Sequence, residues 1–160
     1  MSFARSTDMV LSGLRTIIGS SLLVGTSSIA IRHKPETDLY ALPEVNATNY
    51  PLIALEDVGD DANTETDIES AKAMSIGVTL ACHFVARVED AAGTPREFCR
   101  QAVEAIDGLI GSSTDLGTGI IQRARWQGGG RELSAAEDLK AQGLAEHTTV
   151  WQFSYLVDRP

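Results

Sequence analysis

The sequence predicts an α+β fold: a mostly antiparallel sheet of about five strands with two main helices packed on one face. Three observations carry this. Two stretches place apolar residues at helical spacing, several others alternate with period two, and the alternating runs outnumber the helical ones. At 160 residues and 43% apolar content the chain can bury one core, so residues 1–160 are read as a single domain.

The first helix comes from Val10, Leu11, Leu14, Ile17 and Ile18, which share one helical face. Ser6 or Thr7 is the expected cap, Asp8 suits the first turn, and Gly19 with Ser20 and Ser21 ends the element. A short strand is expected over Ser28–His33, with Ile29, Ile31 and His33 on one side. Pro35 and Pro43 mark an irregular connection, and Tyr50–Leu55 is a compact apolar strand entered through Pro51. Glu56–Ser70 reads as an acidic loop.

Met74–Val88 carries the strongest pattern in the chain. Met74, Ile76, Val78, Leu80, Cys82, Phe84, Ala86 and Val88 alternate with a wetter series that includes Thr79, His83 and Arg87. Fifteen residues at ~3.3 Å each would reach roughly 50 Å, whereas a compact chain of this size has a radius of gyration near ~15 Å. Either the strand begins late or part of it projects, and a projecting edge invites pairing between copies. Thr94-Pro95-Arg96-Glu97 then opens a second helix, with cap, first-turn proline and an acid three residues on. Its stripe is Phe98, Ala102, Val103, Ile106, Leu109 and Ile110, closed by Gly111. Gly119–Trp126 reads as a strand with Arg123 and Arg125 on one face, Gly128–Gly130 as a breaker, Ser134–Gln142 as a short helix, and Thr149–Val157 as a last strand with Trp151, Phe153 and Tyr155 together.

The net charge of −9 is local. Between Lys34 and Lys72 there is no basic residue, and ten acids stand there. The remainder, with 13 basic and 12 acidic residues, is near neutral. So acidic a chain is not expected to grip nucleic-acid phosphates or an anionic membrane broadly. Cys82 and Cys99 have neither zinc nor disulfide spacing and read as small buried hydrophobes of a protein kept in a reducing cytoplasm. No secretory or membrane-spanning segment is read.

Catalytic motifs are missing: there is no G-x-S-x-G, Walker loop or H-E-x-x-H. His83 is expected as a partly exposed imidazole on the wetter face. Asp61, Asn63, Glu65, Asp67 and Glu69 alternate like calcium ligands, but Thr66 replaces the required Gly and Lys72 the bidentate Glu. Neither a metal nor a cofactor is therefore expected. The candidate functional residues are electrostatic: Glu56, Asp57, Asp60, Asp61, Glu65, Asp67 and Glu69 as a channel or docking face, with Arg123 and Arg125 as intersubunit partners.

In element order and length the chain resembles the tail terminator (tail completion) proteins of long-tailed bacteriophages. The residues concerned are the N-terminal helix, the strand Tyr50-Pro51-Leu52-Ile53-Ala54-Leu55-Glu56-Asp57, the acidic loop, the long strand Ser75–Glu89, the helix PREFCRQAVEAIDGLI, a strand around Ile120–Trp126 and the closing VWQFSYLV. The resemblance implies a non-enzymatic virion protein at the head-proximal end of the tail, assembled in the host cytoplasm. It would form a six-membered ring that caps the tail tube protein, stops its polymerisation and docks the head-tail connector. DNA would meet it only in passage through the channel, and no membrane partner is implied. Two alternatives accompany this reading: a neck or head-tail joining ring, and a small acidic metal-binding module or enzyme.

Overall fold

The computed structural model describes residues 3–34, 42–63, 73–90, 93–113, 116, 121–129 and 141–158. Helix α1 runs Phe3–Ile18 and is followed by the hairpin β1 (Ser21–Val24) and β2 (Ser27–Ala30). Then come β3 (Arg32–His33), β4 (Leu52–Asn63), β5 (Ala73–Arg87), α2 (Pro95–Ser112), β6 (Ile121–Gly129) and β7 (Leu144–Asp158). β1 and β2 form a two-stranded sheet, and the others a five-stranded sheet in the order β3-β4-β5-β7-β6. Every pairing in it is antiparallel except β3 with β4. The α+β class is as the sequence predicts.

α1 buries the expected stripe, with Val10, Leu11, Leu14 and Ile18 in the core. It begins earlier than its capping residues suggest, so Ser6 and Thr7 lie inside it. It ends at Gly19, whose φ of +72° lets its N–H return to Arg15 O at 2.9 Å. The serines after it open β1, a strand the sequence reading missed; its Leu22 and Val24 join the core. α2 starts as expected: Thr94 accepts the Glu97 N–H at 3.3 Å and Pro95 takes the first turn. It passes through Gly111 to Ser112 before Ser113 caps it.

On its helix side the sheet contributes Ile53, Leu55, Val78, Leu80, Cys82, Phe84, Trp151, Phe153 and Tyr155 to one core with α1, α2 and the β1–β2 hairpin. The opposite side was expected to be wet, and at its base it is not. Tyr50, Leu52, Val85 and Leu144 form a second buried cluster, covered by Leu42 and Val45 of the preceding connection, where Tyr50 also donates to Pro43 O at 2.9 Å. β5 is dry on both faces from Leu80 to Ala86.

β5 forms over its full length and is the central strand. Its 15 residues pair one-for-one with β7, and β4 follows it to Asn63. The long strand is therefore flanked by β7 throughout and by β4 from Ser75 to Val85, and the loop expected over Glu56–Ser70 is strand as far as Asn63. The ladder with β5 overrides the poor strand propensity of Asp and Gly there. β6 likewise runs on through Gly128 and Gly129, with a bulge between Trp126 and Gly128, instead of breaking at the glycines. The expected short helix at 134–142 falls almost wholly outside the described residues.

Candidate functional site

The predicted charged residues lie on the two sides of the sheet. Glu56, Asp57, Asp60 and Asp61 belong to β4, paired in the ladder with Ala81, Leu80, Val78 and Gly77. Asp57 is exposed and accepts the Gly59 N–H at 3.1 Å, beside a bulge that shifts the register between these two residues. Arg123 and Arg125 are exposed on β6, opposite Ser154 and Gln152 of β7. β5 and β7 stand between the acids and the arginines, three strand spacings or ~14 Å in all. One chain therefore does not bring them together. Glu65, Asp67 and Glu69 lie outside the described residues.

Glu56 differs from the other acids. It turns inward with β4 to meet His83 on β5, and the expectation of a partly exposed imidazole is overturned: His83 is 0% exposed. Its Nε2 lies 3.0 Å from Glu56 Oε2, and its Nδ1 lies 3.1 Å from Glu146 Oε1 and 3.0 Å from Thr148 Oγ1. Thr148 donates its hydroxyl to Glu146 Oε1 at 3.0 Å, which leaves its oxygen to accept from the ring. The carboxylates are themselves only 11% and 7% exposed. Because the two carboxylates sit on opposite ring nitrogens, they cannot converge on a single ion. Among the described residues no group of three His, Cys, Asp or Glu is placed to hold a metal. Asp61 and Asn63, the first residues of the calcium-like pattern, lie in extended, paired backbone that does not curl round an ion.

A second polar network joins α2 to β6 and β7. Asp107 Oδ1 accepts from Thr149 Oγ1 at 2.6 Å and from Trp151 Nε1 at 2.8 Å, and Trp126 Nε1 donates to Thr149 Oγ1 at 3.1 Å. This holds the Trp126 indole in place although the residue is 58% exposed. Neither network was visible in the sequence, since each joins residues more than 20 positions apart. The alternation did place His83 opposite the Cys82 side of β5.

Cys82 and Cys99 are buried and free, as expected of small hydrophobes. Burial pushes both thiols up to about 12, with the Asp107 charge adding at Cys82 and the Glu146 charge at Cys99. Protonated thiols of this kind are poor nucleophiles and poor metal ligands. No described helix is long and apolar enough to cross a membrane.

Among solved structures, the chain is similar to the sheath/tube terminator of PVC, an extracellular contractile injection system, in its extended state. The TM-score is 0.44 at 12% identity, with all of this chain aligned to 57% of that one. No family model matches, and neither does any curated protein. This chain thus spans little more than half of that terminator's length, and a likeness at this level assigns nothing by itself.

Proposed function

We propose that this chain is a structural, non-enzymatic subunit of a ring that closes the end of a tail-like tube, as the resemblance in element order implies. The observation that carries the reading is the disproportion between sheet and helices. β5 and β7 have 15 residues each, roughly 50 Å, whereas the 18 residues of α2 cover about 27 Å. The helix side of the sheet is buried as far as Val78, Phe153 and Tyr155, but beside it β4 is exposed from Asp57 to Gly59. Sheet that a subunit does not cover itself is material for contact with neighbours.

The charge distribution fits the same reading. An acidic wall repels DNA, so a channel lined by it lets DNA pass without retaining it. The ring would bind tube protein on one face and the head-tail connector on the other. Electron microscopy of the purified protein, alone and mixed with tail tubes, tests this. Rings seated on tube ends, with tube growth arrested, are the expected result. A particle that stays monomeric and never joins a tube end refutes it, and rings that bind the portal side in preference to the tube would place the chain at the head-tail joint instead.

A further inference from the structure

β6 ends the five-stranded sheet, and its outer edge has no partner among the described residues from Ile121 to Gly129. The bulges at Ile121/Arg123 and Trp126/Gly128 leave one regular stretch between them, Arg123 to Trp126, in unbroken register with Ser154 to Trp151 of β7. Within it the two faces differ. Arg123 and Arg125 stand on the face away from the helices, both exposed, and neither forms an ion pair among the described residues. Ala124 and Trp126 stand on the helix face, paired with Phe153 and Trp151 of the core.

Trp126 is 58% exposed, yet its ring is held. Its Nε1–H donates to Thr149 Oγ1, and Thr149 donates in turn to Asp107 of α2, which also accepts from Trp151. The polar group of the indole is therefore satisfied inside the protein, and what it offers outward is apolar ring. The chain around it is small: Ala124 precedes it, Gly128 and Gly129 follow, and a Cβ at Gly128 would meet nothing within 4 Å. A fixed aromatic side chain with open faces loses little freedom on binding, and such residues dominate the energetics of interfaces.

We propose that Arg123–Trp126 of β6 receives an extended segment of another protein as an added strand, with acidic residues on the arginine face and an apolar side chain against Trp126. Backbone hydrogen bonds give strand addition its affinity, and alternate side chains give it specificity. Successive side chains of the added strand fall on opposite faces, so a segment that alternates acid and apolar residues meets both faces at once. The bulges confine regular pairing to the four residues from Arg123 to Trp126. A second copy of β6 does not suit this edge. Antiparallel pairing would set Arg123 and Arg125 of one copy beside those of the other, and like charges in such positions are destabilising. Nothing in this requires that the chain form a ring.

Two short peptides with blocked ends test this against the full-length protein, one alternating glutamate with valine and the other lysine with valine. Calorimetry at low salt reads affinity, tryptophan fluorescence reads the indole, and amide exchange reads the β6 edge. The glutamate peptide is expected to bind, to shift the emission of Trp126 and to slow exchange along Arg123–Trp126. Arg123→Glu/Arg125→Glu should weaken that binding about tenfold, as two exposed charge pairs are lost, and should prefer the lysine peptide instead. A gained preference also shows that the variant is folded. Trp126→Ala, with its fold checked by circular dichroism, should weaken the glutamate peptide and leave the preference for it over lysine unchanged. A glutamate peptide that fails to bind at millimolar concentration overturns the proposal, as does equal binding of the two peptides or binding indifferent to the arginine reversal. Self-association of the wild type that slows the same amides would put a second copy on this edge and overturn it as well.

Discussion

Replacing His83 by Ala probes the least expected feature of the fold. The substitution removes an imidazole that is 0% exposed and leaves Glu56 and Glu146, 11% and 7% exposed, facing a cavity without their shared donor. Hydrogen bonds to charged groups contribute about 1.5–3 kcal/mol each, and breaking one partner out of a buried ionic cluster costs about 3–5 kcal/mol. The two estimates describe the same loss and are not summed. A loss near 4 kcal/mol is expected, a large share of the ~5–15 kcal/mol that stabilises a typical domain. With a urea dependence of about 2 kcal/mol per molar, the midpoint should fall by roughly 2 M. Glu56→Gln/His83→Leu/Glu146→Gln, which removes the charges together with the ring, should recover most of the loss, because a buried ionic cluster is often replaceable by neutral packing. A cost below about 1 kcal/mol for His83→Ala, measured by equilibrium urea unfolding, would mean that water reaches the carboxylates and that the cluster is not closed.

Three further outcomes are expected. Asp107→Ala removes the acceptor of both Thr149 and Trp151 and should cost about 2–4 kcal/mol with altered near-ultraviolet dichroism; Asp107→Asn, which keeps an oxygen there, should cost less, and equal losses would show that the carboxylate is not the anchor. In Gly129→Ala the new Cβ would stand 2.6 Å from Thr148 O, so β6 must part from β7; a loss of about 1–3 kcal/mol with faster amide exchange along β6 is expected, and unchanged exchange would contradict it. The thiols of Cys82 and Cys99, raised from an ordinary 9.0 to about 12, are protonated in the folded state over a range where the unfolded chain has lost the protons. The stability this contributes is complete below pH 9 and is lost as pH rises through about 12, at up to about 1.4 kcal/mol per pH unit for each thiol; Cys82→Ala/Cys99→Ala should flatten that slope, and a thiol reagent at pH 8 should label the wild type only in denaturant.

The elements that could be read from the sequence are those whose signal is local. The alternation of Met74–Val88 and the Thr94-Pro95 start of α2 need no distant partner to be recognised. Val85 falls on the series that reads as wet because nothing near it in sequence announces the covering segment of Leu42, Val45 and Tyr50, and His83 does so because Glu56 and Glu146 reach it from other strands. β4 beyond Leu55 is strand because β5 offers it a ladder, while its own Asp and Gly residues argue for a loop. β1 was hidden by Ser20 and Ser21, which look like the debris of a helix end. Of the candidate site, the residue types were legible: a basic-free acidic stretch and a pair of arginines. Their separation to opposite sides of the sheet was not, because it follows from the strand order β4-β5-β7-β6, and no local pattern encodes the insertion of β7 between β5 and β6.

That insertion has a consequence for how the protein is made. β6 has no partner in its sheet until β7 exists, and one edge of β5 waits for the same strand. Leu144 lies 57 residues beyond Arg87, which a ribosome adding about 5–20 residues per second covers in roughly 3–11 s. Throughout that interval a long apolar strand is half-templated, open to any nascent chain or holdase that can occupy the place of β7. The yield of native protein should therefore depend on translation speed between β5 and β7 more than on the stability of the finished fold.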